Sequence, residues 1–167
     1  MNLYNFYDKP EELEGFHKML TTVPYFAYIY ATEQRKRIPE AEPCISKDST
    51  YAYMYARDVI NGPFPAGEAA IATHFNTAYN YANQILNGPF PAGEAAIATD
   101  ATAAYDYAAN ILKGPFPAGE AAIATGGMVS YRYAKYVLNG PFPAGEPAID
   151  AADIPRNLYQ TFLDELK

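Results

Sequence analysis

The seven-residue segment Gly-Pro-Phe-Pro-Ala-Gly-Glu occurs four times in the chain at a constant interval. The copies begin at Gly62, Gly88, Gly114 and Gly140, so each follows the previous one by 26 residues. A period of this length is typical of stacked repeat proteins, in which each unit buries its apolar face only against its neighbours. The interval therefore predicts a solenoid.

The residues before each segment have helical periodicity and divide into constant and varied positions. In the first copy the constant positions are Ala52, Tyr53, Tyr55, Ala56, Val59 and Ile60, and the varied ones are Tyr51, Met54, Arg57 and Asp58. At the angular spacing of an α-helix the two sets lie on opposite faces. We therefore expect three-turn helices over residues 50–61, 76–87, 102–113 and 128–139, with the constant face buried and the varied face outside.

Capping residues mark the ends of these helices. Asp48 and Asp100 are good N-cap residues, and His74 and Gly126 hold the same position in their repeats. Gly62 is expected to adopt the left-handed conformation after the first helix, and the proline that follows it cannot continue the helix. Phe64 is then expected to fold back onto the core, ahead of a short helix or 3₁₀ turn over residues 65–72.

Terminal segments outside the close repeats are expected to cap the stack. Residues 1–24 form the N-terminal cap, with a capping box at Asp8 and Glu11 and an apolar stripe of Leu13, Phe16 and Leu20 on a helix over residues 10–20. Tandem repeats occupy residues 25–151, namely a degenerate repeat at 25–48 and close copies at 49–74, 75–100, 101–126 and 127–151. Residues 152–167 form a C-terminal helix that opens at residues 153–155 and carries Leu158, Phe162 and Leu166 at helical spacing. The predicted fold is an all-α solenoid of about five 26-residue units with helical caps.

Charge and composition argue against several classes of partner. The net charge is −7 among 167 residues, which disfavours direct binding to nucleic acid or to an anionic membrane. No apolar run approaches the roughly 18 residues of a membrane span. No secretion signal is visible, and the single cysteine favours a reducing compartment, so we expect the protein in the cytoplasm. Cys44, the single cysteine, cannot form an internal disulfide and aligns with alanines of later repeats, which predicts a small buried thiol.

Residues that would support catalysis are sparse. The two histidines, His17 and His74, lie far apart in sequence, and no His/Cys group has the spacing of a metal site. The repeated segment cannot be a phosphate-binding loop, because both its prolines lack an N–H group. We therefore predict a protein that is not an enzyme and that has no metal and no cofactor; a small ligand between repeats remains open.

Two sets of residues are candidates for partner binding. The first consists of the repeated glutamates Glu68, Glu94, Glu120 and Glu146, which would form a row of carboxylates able to bind a basic partner or imitate a phosphate backbone. The alternative is that each carboxylate stabilises the positive end of its short helix. The second lies on the varied helix face and consists of Met54, Asp58, Asn80, Asp106, Arg132 and Tyr136. These positions either drift freely in solvent or form a surface suited to one protein partner.

The repeat motif resembles tandem repeats found in uncharacterised proteins of tailed bacteriophages and bacteria. The likeness rests on the pattern Tyr-Ala-Tyr-x-Tyr-Ala-Arg-Asp-Val-Ile-x-Gly-x-Phe-Pro-x-Gly-Glu-x-Ala-Ile over residues 51–71 and extends across residues 25–151. The family has no assigned activity, so the resemblance carries no functional residue. It implies a phage-encoded accessory protein in a bacterial cytoplasm, and small acidic phage proteins of this kind often inhibit host defence systems.

Three functional hypotheses follow. The first is a non-enzymatic scaffold that binds, and as a phage protein inhibits, a host protein complex. The second is an acidic mimic of nucleic acid that blocks a DNA- or RNA-binding protein. The third is a structural or virion-associated spacer.

Overall fold

The computed structural model describes residues 10–152 and 156–166, and these ranges contain helices and turns but no strand. The fold is an all-α repeat solenoid, as the 26-residue period predicts. The chain divides into two compact units, Met1–Thr73 and His74–Lys167. In the ranges described, no helix is both long and apolar enough to cross a membrane. Asp8 and residues 153–155, where helix starts are predicted, lie outside the described residues.

Five α-helices lie in the described part of the first unit. They are Pro10–Thr22 (α1), Pro24–Gln34 (α2), Glu42–Ile45 (α3), Ser49–Tyr55 (α4) and Glu68–Ile71 (α5). Helix α2 packs against α1, α3 and α4, and α4 packs against α5.

Long and short helices alternate in the second unit. They are Phe75–Tyr81 (α6), Glu94–Ile97 (α7), Ala101–Asp106 (α8), Glu120–Ile123 (α9), Gly127–Tyr133 (α10), Glu146–Ala151 (α11) and Arg156–Glu165 (α12). Helix α8 packs between α6 and α10, and α12 packs against α11.

Each main helix of the close repeats continues from α-helix into a π-helical segment. These segments are Ala56–Ile60, Ala82–Leu86, Tyr107–Leu112 and Ala134–Leu138. A 3₁₀ turn then precedes each short helix, at Pro65–Gly67, Pro91–Gly93, Pro117–Gly119 and Pro143–Gly145. The predicted helix and short helical turn of each repeat are confirmed, whereas the π geometry is not predicted.

N-caps are found where the sequence predicts them. The Asp48 side chain accepts hydrogen bonds from the backbone N–H groups of Thr50 and Tyr51. Asp100 accepts one from Ala103, and His74 accepts one through Nδ1. Gly126 has no side chain to contribute. The four N-cap residues therefore share one backbone geometry. They differ in how many backbone N–H groups of the first helical turn their side chains hydrogen-bond.

The left-handed residue at the end of each main helix is not the glycine. Asn61, Asn87, Lys113 and Asn139 have φ between 47° and 54°, and no described glycine has a positive φ. The prediction for Gly62 is therefore wrong by one residue. The N–H groups of Asn61 and Gly62 both bond to the Ala56 carbonyl, which closes the π turn one residue earlier. Asparagine tolerates this conformation better than most residues that carry a Cβ.

Glycine is required instead at the end of each 3₁₀ turn. A Cβ added to Gly67 would lie 2.6 Å from the Phe64 ring and 2.8 Å from the Ala52 Cβ. Phe64 is buried and packs edge-on against Tyr55, with the ring centroids 5.2 Å apart. The prediction that Phe64 folds back onto the core is confirmed, and the missing glycine side chain lets the turn lie directly on the helix.

The buried face follows the constant positions, with some differences. Alanine and tyrosine side chains at the positions of Ala52, Tyr55 and Ala56 are buried in every close repeat, apart from Ser130 in place of one alanine. Val59 and Ile60 are only half-buried. Thr77 and Ala103 occupy a varied position that is expected to face solvent, but both residues are buried. Because the helix widens into a π turn, positions on either side of it are rotated away from ideal α-helical angles.

The two terminal helices bury fewer apolar residues than expected. Phe16 and Leu20 are buried on α1, whereas Leu13 is exposed. On α12, Phe162 and Tyr159 are buried and Leu158 is exposed; Leu166, one residue after the helix, is also exposed. His17 is exposed. Cys44 is buried as predicted, and burial raises the pKa of its thiol.

Candidate functional site

The repeated glutamates take part in hydrogen bonds between neighbouring repeats. Tyr107 donates from its hydroxyl to Glu94 Oε1 at 2.9 Å and accepts from the backbone N–H of Phe90 at 2.9 Å. The same pair of bonds joins Tyr133 to Glu120 at 2.9 Å and to Phe116 at 2.9 Å. The main helix of one repeat thus satisfies the turn of the repeat before it.

This contact extends to both ends of the repeat array. Tyr55 donates to Glu42 at 2.9 Å and accepts from the N–H of Ile38 at 3.1 Å. Both partners lie in the degenerate repeat. Tyr159 hydrogen-bonds Glu146 at 3.4 Å and the N–H of Phe142 at 3.0 Å. Tyr159 is not predicted from the sequence, although its position 26 residues after Tyr133 is a readable signal.

The tyrosine hydroxyls of this contact are held neutral. Burial, together with the adjacent carboxylate, raises the pKa of Tyr107 and of Tyr133 to about 12. Glu94, Glu120 and Glu146 are half-buried at the first position of their short helices; Glu68 holds the equivalent position. These side chains are therefore engaged in structure, which limits what they can offer to a partner.

The varied face contains charged and aromatic side chains in different settings. Asp58 forms two hydrogen bonds with the Arg57 guanidinium, at 2.7 and 2.9 Å, and accepts one from the Tyr28 hydroxyl at 2.7 Å. The guanidinium holds the pKa of Asp58 below its usual value. Met54 is half-buried in the same unit. These contacts satisfy Asp58 within the protein.

The candidate residues of the second unit lie on successive repeats. Asn80 and Asp106 are half-buried, and Arg132 is exposed. Tyr136 has 65% of its surface exposed, and the Lys135 ammonium lies 5.7 Å from its ring centroid. Asn80 and Asp106 face one groove, whereas Arg132 and Tyr136 lie outside it.

A groove of about 340 Å³ separates helices α6 and α8 on the varied face. Its lining consists of Phe75, Asn76, Tyr79, Asn80, Asp100, Thr102, Ala103 and Asp106. Two of the predicted residues, Asn80 and Asp106, thus meet across one site, and the other lining residues are not predicted to take part. Asn76 could have been found from its position one helical turn before Asn80, and Asp100 only from its assignment as an N-cap.

The α6 wall of the groove is ordered by amide hydrogen bonds. Asn80 donates from Nδ2 to Asn76 Oδ1 at 2.8 Å, and Gln84 donates to Asn80 Oδ1 at 3.3 Å. This chain of amides fixes the orientation of the two asparagine side chains. Phe75 and Tyr79 add aromatic surface to the same wall.

The α8 wall carries two carboxylates. Asp100 uses Oδ1 to accept from the backbone N–H of Ala103 at 2.8 Å, an N-cap contact that fixes the side chain. Asp106 forms no hydrogen bond or ion pair with any residue in the described ranges. Burial raises the pKa of Asp106, the negative charge of Asp100 raises it further, and Arg132 acts in the opposite direction.

This arrangement can accept hydrogen bonds from a polar or positively charged group. Its oxygen atoms are amide, hydroxyl and carboxylate oxygens, and its aromatic edge offers apolar contact. Within the described residues no three His, Cys, Asp or Glu side chains come together in a way that could hold a metal ion. Comparison with protein-family models, curated proteins and solved structures finds no match to this chain.

Proposed function

We propose that the protein is a non-enzymatic scaffold that binds one protein partner through the varied face of its main helices. The observation that carries this proposal is the groove between α6 and α8, where Asn80 and Asp106 occupy a position whose residue differs in every close repeat. Contacts inside the stack use the same tyrosine, glutamate and phenylalanine in successive repeats. Outside the stack, one position holds Met54, Asn80, Asp106 and Arg132 in turn, so the chemistry changes while the backbone repeats.

The biological setting we propose rests on the resemblance of the repeat motif. A phage-encoded protein in the cytoplasm of a bacterial host would meet host complexes directly, and binding to one of them would inhibit it. Repeat solenoids offer extended surfaces of this kind.

An affinity pull-down of the tagged protein from bacterial lysate, with and without nuclease, tests the proposal. We expect one dominant host protein that is retained after nuclease treatment. A variant with Met54→Ala, Asp106→Ala, Arg132→Ala and Tyr136→Ala should lose that protein. The matched control replaces four exposed residues outside the close repeats, Glu33, Lys36, Glu40 and Lys47, and should retain it. Capture that the fourfold variant leaves unchanged would contradict the proposal.

The two alternative functions give different results in related experiments. An acidic mimic of nucleic acid would bind its target with an affinity that falls steeply as salt rises and would weaken on charge reversal at Glu68, Glu94, Glu120 and Glu146. The engagement of Glu94, Glu120 and Glu146 with tyrosine hydroxyls makes this alternative less favourable. A structural spacer would be found in purified virus particles.

A further inference from the structure

The groove between α6 and α8 has the shape and the chemistry of a receptor for one side chain. We propose that it binds the guanidinium group of an arginine on the surface of a partner protein. This inference rests on the scaffold function proposed above and specifies the chemistry that the partner presents there.

Hydrogen-bond acceptors line both walls. Asn76 and Asn80 hold amide oxygens on α6, and their orientation is fixed by the bond between them. Asp100 and Asp106 hold carboxylates on α8. A guanidinium is planar and carries five N–H donors in a fixed fork, so it can reach acceptors on two sides at once.

Aromatic surface favours a guanidinium over a more compact cation. Phe75 and Tyr79 line the groove beside the asparagines. A guanidinium is weakly hydrated and stacks on aromatic rings, whereas an ammonium is a strongly hydrated point charge. The volume of about 340 Å³ lies at the lower end of the range for ligand pockets.

Electrostatics also favours a cation in this groove. The Asp106 carboxylate is half-buried and forms no hydrogen bond or ion pair within the described ranges. It experiences the positive charge of Arg132, which does not reach ion-pair distance, and the negative charge of Asp100. A bound cation would replace the lost hydration of Asp106 and offset the repulsion between the two carboxylates. The net charge of −7 adds a general attraction for a basic surface.

The next repeat shows that the acidic groove is specific to one position in the array. The residues that align with Asp100, Thr102 and Asp106 one repeat later are Gly126, Met128 and Arg132. Both carboxylates are lost there, and one is replaced by a cation. The same backbone therefore presents opposite charge at neighbouring positions, which would fix the register of a bound partner.

Titration of the full chain with Nα-acetyl-arginine amide, followed by ¹H–¹⁵N NMR, tests the inference. We expect shifts confined to the amides of α6, α8 and the Asn76 and Asn80 side chains, with a dissociation constant in the millimolar range, which corresponds to about 4 kcal/mol. Nα-acetyl-citrulline amide, which has the same shape but no charge, should bind at least about fivefold more weakly if charge pairing contributes about 1 kcal/mol.

Two variants keep the test independent of folding defects. Asp106→Asn removes a charge at nearly constant size, and Asp100→Asn does the same while preserving an N-cap residue. Each should weaken arginine binding several-fold, and Glu165→Gln, an exposed position on α12, should not.

Equal binding of the citrulline amide, or arginine binding that neither aspartate variant weakens, would overturn the inference. Equal binding of Nα-acetyl-lysine amide would overturn the guanidinium assignment. Failure of the scaffold proposal is seen separately: the pull-down would then yield no partner sensitive to the outer face, while the arginine titration still succeeds.

Discussion

The hydroxyl of Tyr107 donates a hydrogen bond to the carboxylate of Glu94, thirteen residues earlier in the chain, with 2.9 Å between the two oxygens. The same hydroxyl accepts from the buried backbone N–H of Phe90. Proline at positions on both sides of Phe90 leaves that turn short of backbone donors. A tyrosine from the following helix therefore completes the hydrogen bonding of the turn and holds adjacent repeats in register.

Replacement of Tyr107 by phenylalanine should destabilise the protein by about 1–3 kcal/mol, because the Phe90 N–H would remain buried without an acceptor. The ring and its packing against Phe116 would be kept. Urea unfolding followed by circular dichroism measures the loss. Tyr105→Phe is the matched control, since no hydrogen bond to the Tyr105 hydroxyl is found in the described ranges. If Tyr105→Phe lowers the free energy of unfolding as much as Tyr107→Phe does, the role assigned to Tyr107 is contradicted.

The glycine at the end of each 3₁₀ turn should be intolerant of a methyl group. A Cβ on Gly93 would lie 2.5 Å from the Phe90 ring and 2.8 Å from the Ala78 Cβ, so Gly93→Ala should cost about 1–3 kcal/mol through overpacking. The nearest atom to a Cβ on Gly88 is 3.8 Å away, and Gly88→Ala should leave stability unchanged or slightly higher. Thermal unfolding of the pair makes the comparison; similar midpoints would show that the turn does not lie so close to α6.

Lys113 occupies a left-handed conformation that three asparagines hold in the other close repeats, with φ of 53°. Replacement by glycine should stabilise the protein by about 0.5–1 kcal/mol, since glycine adopts this conformation without steric cost. Ala109→Gly, inside the preceding π segment, should instead destabilise it by about 0.5–1 kcal/mol. The urea midpoints of the two variants should move in opposite directions. A shift of both midpoints to lower urea would argue against a left-handed conformation at Lys113.

Two aspartates on the varied face should affect stability with opposite dependence on pH. The pKa of Asp106 is raised in the folded protein, chiefly by burial, so the folded state binds its proton more tightly than the unfolded chain. Stability therefore falls as pH rises from the unfolded pKa of about 3.9 to the folded value. Asp106→Asn should increase stability above that window and have no effect well below it.

Asp58 provides the matched comparison. Its pKa is lowered by Arg57, so its contribution is complete above the unfolded pKa and is lost as pH falls through the lower folded value. Asp58→Asn should therefore reduce stability at neutral pH, modestly because the ion pair is partly exposed, and should have no effect in strong acid. Urea unfolding from pH 2 to 8 measures the stability of both variants. If the two substitutions change stability in the same direction at neutral pH, the environments described for Asp106 and Asp58 are wrong.

Local and repeated features of this protein are predictable from the sequence. The 26-residue interval predicts a repeat solenoid, and the periodicity and capping residues within each copy predict the long and short helices. The stop at residues 61–63 predicts that Phe64 folds back onto the core. Asp48 and Asp100 are recognisable as N-caps because capping depends on residues within one turn of each other. The varied face is also correctly placed for the most part, because the positions that differ between copies of one backbone are those that the core does not constrain.

The tertiary structure alone decided the features that depend on the rotation and the spacing of neighbouring helices. The repeat period determines neither the rotation nor the spacing. The pairing of Tyr107 with Glu94 follows from that packing. So does the groove, where Asn80 and Asp106 occupy equivalent positions of adjacent repeats and Asp100 joins them from the start of α8. From the sequence, an aspartate that caps a helix is interpreted as structural. Only the distance between α6 and α8 places Asp100 in one groove with two asparagines.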